Sequence, residues 1–169
     1  MNLYFSKDKR GRDLLIAEDA EIISNFSNFR GIASRYNAEG CRNFCLVIPD
    51  NMADDMLHDG WNVKTTRPRN EEYEPQHYIQ VNISWAKIPP SVRFITSRGE
   101  TEIDESIIGQ LDTAEIERMD IAISPSYRIK DDGTIGIKGY VRTMDVVLYE
   151  DPIRRARTER EMNDLPFEE

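Results

Sequence analysis

The chain has 169 residues, 39% of them hydrophobic, which suits about one domain with a real core. Its formal charge of −9 argues against a protein that holds nucleic acid by bulk positive charge, while leaving room for a local basic groove. No apolar run is long enough for a signal peptide or a membrane span, so a cytoplasmic protein with no membrane partner is expected.

In chain order, β patterns dominate. A first strand is expected at Ala20 to Phe26 and a second at Arg42 to Ile48. A helix follows: Asp50 is placed to cap it, Met52, Ala53, Met56 and Leu57 form a stripe at helical spacing, and Gly60 ends it. Trp61 to Thr66 reads as a strand and Thr66 to Gln76 as a linker. His77, Ile79, Val81, Ile83 and Trp85 alternate with Tyr78, Gln80, Asn82 and Ser84, the signature of a strand buried on one face. Pro89-Pro90 breaks the chain before a strand at Ser91 to Thr96, and Ser97-Arg98-Gly99 is a turn. Ser106 to Arg118 is a turn or helix with Ile107, Leu111 and Ile116 facing the core. Strands at Asp120 to Ser124 and Tyr127 to Lys130 lead to Asp131-Asp132-Gly133, the clearest hairpin turn, and to a long strand from Ile135 to Leu148. A last helix begins with Asp151 as cap and Pro152 at its first position, with almost no apolar face. This pattern predicts a mainly β fold, an antiparallel β-barrel or sandwich with one short capping helix and a C-terminal exposed helix and tail. Residues 1–150 form the expected domain and residues 151–169 the exposed helix and acidic tail.

Catalytic signals are absent. With two histidines, no Ser-His-Asp set and no glycine-rich phosphate loop, no enzyme and no cofactor are expected. Cys41 and Cys45, with His58 and His77, invite a zinc reading, but four residues along a strand span roughly 13 Å, too far for a shared metal or a disulfide. Only a Cys41 in the preceding turn shortens that distance, so two reduced thiols and no metal are preferred. Acidic residues cluster at Asp50 to Asp59, at Glu71 to Glu74 and from Glu100 to Asp120, and such runs are usually solvated faces. From Glu159 onward five acidic residues meet Arg160 alone, which leaves a body of −5.

The final strand offers a binding face. Alternation puts Ile135, Ile137 and Val141 on one side and Lys138, Tyr140 and Arg142 on the other, where Arg128 and Lys130 extend it across the turn. A ring flanked by cations gives a base a platform and the backbone a counter-charge. The plain alternative is a half-exposed strand with solvated charges. Met144, Val146 and Leu148 share the parity of Tyr140, so the strand must bend or bulge for both faces to hold. Loops contribute Phe29 and Arg30, then Arg35 and Tyr36, to the candidate nucleic-acid site. Arg67-Pro68-Arg69 adds cations, Trp61 is twice as readily core as platform, and Trp85 is core.

The chain ends in Asp164-Leu165-Pro166-Phe167-Glu168-Glu169. This stretch resembles the acidic tip of bacterial single-stranded DNA-binding proteins, in which a Pro-Phe pair enters a pocket on replication and repair proteins. The resemblance implies partner binding by Asp164, Leu165, Pro166 and Phe167. Glu168 and Glu169 depart from it, because they displace the terminal carboxylate from the phenylalanine. The body, at Tyr36-Asn37, Arg42-Asn43-Phe44, Gly60-Trp61-Asn62-Val63-Lys64, Pro89-Pro90 and Gly136-Ile137-Lys138, is similar to a family of small phage and prophage proteins. The resemblances and the hairpin favour an oligonucleotide-binding barrel, phage-encoded and acting in the host cytoplasm. The expected function is to bind single-stranded DNA in replication or recombination and to recruit partner proteins by the tail, with homo-oligomerisation left open. A second reading, an acidic DNA mimic that inhibits a host nuclease or defence factor, accounts better for the −9 charge.

Overall fold

The computed structural model describes residues 1–68, 70, 72–86 and 88–164. Along them run β1 (Asn2–Lys7), β2 (Asp13–Glu18), β3 (Arg42–Ile48), α1 (Asp50–Asp59), β4 (Lys64–Thr65), β5 (His77–Ile83), β6 (Ser91–Thr96), β7 (Gly99–Ile103), β8 (Ile116–Ile129), β9 (Ile135–Leu148) and α2 (Pro152–Asn163). The strands make one sheet with the main path β1-β2-β8-β9-β5-β3, β4 beside β5, and the β6–β7 hairpin beside β9. The mainly β class with a short helix and a C-terminal helix therefore holds. The purely antiparallel expectation needs correction, because β5 and β6 run parallel to β9. Each reaches β9 through an intervening connection rather than a tight turn, and such connections permit parallel pairing.

No continuous ladder closes the path among the described residues. Residues 20–23, which follow β2, tie β8 to the β3 end of the path: Ala20 N–H donates to the Met119 carbonyl at 2.7 Å and Ile23 N–H to the Cys45 carbonyl at 3.0 Å. The strand expected at Ala20 to Phe26 is thus only an isolated bridge from Ile22 to Leu46 followed by a 3-10 turn at Ser24–Phe26. The outcome is a curled, OB-like mixed sheet.

Burial follows the alternation. In β5, Ile79, Val81 and Ile83 are buried while Gln80 is exposed; across it, β3 contributes Phe44, Leu46 and Ile48. α1 covers one end of this core with Ala53 and Met56, and Gly60 closes it at φ 118°, a left-handed conformation that favours glycine. The N-cap position is Pro49 and not Asp50, whose charge instead lies in the first turn, where the helix dipole favours an anion. At α2 the expected cap is present: the Asp151 side chain accepts from Ile153 N–H at 2.8 Å. Trp61 is buried beneath β9, with Cζ3 at 3.2 Å from where a Cβ on residue 139 would stand, so Gly139 lets the ring pass close to the strand. Cys45 is a buried free thiol and Cys41 an exposed one.

Candidate nucleic-acid interface

β8 and β9 form a hairpin of two 14-residue strands, so the two strands expected before the turn are one. Beyond Ile123 β2 no longer pairs with β8, and Pro125 falls where β8 has a single neighbour, a place that tolerates a missing N–H. Register shifts between Ala122 and Ile123: Ala122 pairs with Thr143 but Ile123 with Val141, leaving Arg142 as the extra residue of a bulge. The bulge resolves the parity conflict. Before it, Ile137 and Val141 are buried; after it, Met144 and Val146 are buried. Lys138 and Tyr140 therefore face outward, and directly opposed residues share a face, so Ser126, Ser124 and, opposite Gly136, Arg128 lie with them. Lys130 lays its stem across Gly136, where a Cβ would stand 2.8 Å from its Cε. Ile135, expected inward, is 54% exposed, although its backbone lies against Gly60 at the end of α1.

Arg142 reaches from the bulge to the β1–β2 turn, its Nη1 donating to Asp8 Oδ2 at 2.7 Å. Asp8 also accepts from the backbone N–H groups of Arg10 and Arg12 at 2.8 and 2.9 Å and from Arg12 Nε at 3.0 Å. The Arg12 backbone N–H first, and then the Arg142 guanidinium, hold this carboxyl well below the usual carboxylate range. A cavity of about 390 Å³ opens here, lined by Asp8, Lys9, Arg10, Arg12 and Arg142. A second clamp ties the same hairpin down: Tyr127 Oη donates to Asp13 at 2.7 Å, and burial together with that carboxylate pushes the phenol up to about 12. Lys9, Arg10 and Arg12 were not candidates from sequence; the Asp8–Arg142 bond that brings their turn to β9 spans 134 positions, and only the sheet creates it.

On the other side of Tyr140 the outward row continues. Tyr140 pairs with Asn82 on β5, and Asn82 with Asn43 on β3, two interstrand steps or about 10 Å. Asn43 donates to the Asn37 side chain at 2.9 Å, and Asn37 in turn donates to the carbonyls of Ile32, Ala38 and Cys41. This pins the loop before β3 at the end of the row. Arg35 stands 5.6 Å over the Tyr36 ring, and Tyr36 is 90% exposed. Turn cations, Arg142, Tyr140 and Asn82 thus line up across the strands, with Asn43 buried against the Asn37 loop that carries the Arg35-Tyr36 pair, and with Arg128, Lys130 and Lys138 toward the hairpin tip.

Two candidates from the loop lie elsewhere. Phe29 is fully buried and stacks on Phe44 with ring centroids 5.5 Å apart, so its face belongs to the core and cannot receive a base. Arg30 turns toward Asp112, which accepts from the Phe29 and Arg30 backbone N–H groups at 2.9 Å each. Of the tail, Asp164 is the C-cap of α2, whereas Leu165, Pro166 and Phe167 lie outside the described residues, as does Arg69.

Residues 5–169 match the family model described as "Putative phage ssDNA-binding domain". Among solved structures, the chain is similar to the single-stranded DNA-binding protein from bacteriophage Enc34 in complex with ssDNA, with 11% identity, 89% of this chain and 98% of that one covered, and a TM-score of 0.52. The same phage protein without DNA aligns at 12% identity, 90% and 93% coverage and a TM-score of 0.50. A single-stranded DNA-binding protein of bacteriophage T7 aligns at 11% identity over 92% of this chain and 98% of that one, with a TM-score of 0.42. No curated protein matches the chain.

Proposed function

The chain belongs to the phage ssDNA-binding domain family, and from that premise we propose that it binds single-stranded DNA across the outward row of its sheet. Tyr140 and Tyr36 supply rings for bases, and Arg35, Arg128, Lys130, Lys138 and Arg142, with Lys9 and Arg10, supply charge to the backbone. The observation that carries this reading is the alignment of the β1–β2 turn, the β9 bulge and the Asn37 loop on one face of an otherwise acidic chain. Arg30 and Arg142 are weaker members because carboxylates already hold them, Arg30 Nε lying 3.9 Å from Asp112 and Arg142 Nη1 2.7 Å from Asp8. Residues 1–150 carry the DNA in this reading, and residues 151–169 recruit replication or recombination proteins through Leu165-Pro166-Phe167.

Titration of labelled oligothymidine against the full chain tests the first half. Affinity for single strands should exceed that for duplex, and its logarithm should fall linearly with log salt. Absence of binding at low salt overturns the reading and favours the DNA mimic, which predicts competition with DNA for a third protein. For the tail, Phe167→Ala should abolish capture of a replication or repair partner without changing DNA affinity, since it removes an apolar anchor and no charge. Deleting residues 164–169 should lose the partner and leave DNA affinity equal or slightly higher, because carboxylates compete with phosphate.

A further inference from the structure

A cleft of about 710 Å³ lies apart from the Tyr140 row, lined in part by Lys64, Thr65, Thr66, Arg67 and Tyr78. Its position follows from strand geometry. Tyr78, Gln80 and Asn82 alternate with the buried Ile79, Val81 and Ile83, so they share the outward face of β5, and Tyr78 stands roughly 13 Å along the strand from Asn82. Lys64 pairs directly with Tyr78 and therefore projects from the same face. The Tyr78 ring meets that of Phe26 at 5.7 Å and 44°, and Phe26 is itself 49% exposed, which puts a second ring beside the cleft. The base of the loop is fixed by paired hydrogen bonds, Thr66 N–H to the Gln76 carbonyl and Gln76 N–H to Thr66 Oγ1, both 2.8 Å. Among the described residues no carboxylate lines the cleft, and Lys64 and Arg67 are both exposed.

We infer that this cleft is a second nucleotide subsite, in which single-stranded DNA leaving the Tyr140–Asn82 row turns along β5, rests a base on the Tyr78–Phe26 pair and sets phosphates against Lys64 and Arg67. The inference rests on the DNA-binding reading above and extends it by a path and a length. A half-buried tyrosine beside an exposed phenylalanine, with adjoining cations, offers the ring surface and charge that bind nucleotides without reading their sequence. The subsite predicts that the protein covers more of a strand than the row alone requires.

The experiment is a stoichiometric titration of long polythymidine at low salt, followed by the salt dependence of affinity, on the full chain and on a Lys64→Gln, Arg67→Gln double variant. Both substitutions are at the surface and should leave the melting temperature unchanged. The variant should cover fewer nucleotides per protein, and its log–log salt slope should be shallower by about 1.4, the contribution of two single-strand phosphates at about 0.7 each. An unchanged length and slope in the variant overturns the subsite. Failure of the unaltered chain to bind the polymer overturns the DNA-binding reading itself, so the two failures are distinguishable.

Discussion

β9 does two jobs on the two sides of Arg142. Before the bulge its outward side chains are Lys138 and Tyr140, and among the described residues no carboxylate pairs with Lys138. After the bulge they are Thr143, Asp145 and Val147, and Asp145 is clamped by Arg93 through two bonds of 2.9 and 2.7 Å. The second half carries charge that is spent within the protein, bracing β6 against β9, while the first carries charge left for something else. A charge neutralised by its neighbours reports on architecture, and one left open beside a ring reports on binding.

The largest expected effect tests the buried side of the second half. Met144→Ala should cost about 2–5 kcal/mol of stability, because its side chain is fully enclosed and the cavity cannot fill; denaturant unfolding measures it, and DNA affinity of the remaining folded protein should not change. Tyr140→Ala should do the reverse, with about 1–3 kcal/mol lost from oligothymidine binding and little change in melting temperature. If the two variants show the same pattern, the division of β9 is wrong.

Much of that division was legible in the sequence. β3, β6 and β9 have the expected bounds because apolar alternation and flanking turns agree there, and the parity change in β9 called for a bulge before any fold was known. β1 and β7 escaped because each buries a single residue, Leu3 and Ile103, which leaves no period to detect. β2 escaped for another reason: Leu14, Leu15, Ile16 and Ala17 are apolar on both faces. Phe29 was placed at the surface by its loop neighbours, yet the loop dives to stack it on Phe44. The turn cations were invisible as a site because Asp8, which organises them, meets Arg142 only in the folded sheet.

Two smaller effects sharpen the contrast at that turn. Lys9→Gln together with Arg10→Gln should make the salt slope of single-strand binding shallower by about 1.4, with unfolding unaffected; an unchanged slope removes the turn from the DNA path. Asp8→Asn should change the response to acid. Its folded carboxyl titrates below the usual range, so the stability it adds is fully present above the unfolded value of about 3.9 and is lost as pH falls through the folded value. Acid unfolding of the variant, followed by circular dichroism, should therefore depend less steeply on pH than that of the unaltered chain.

The central claim is that single-stranded DNA crosses the outward face at the bulge. Amide chemical-shift mapping with oligothymidine tests it most directly. The account predicts that the shifts concentrate at residues 8–12, at Lys138 to Arg142, at Asn82 and Asn43, and at Arg35 and Tyr36, with residues 143–147 and the β6–β7 hairpin quiet. Shifts centred on the β6–β7 hairpin and α2, with the Tyr140 row silent, would contradict it.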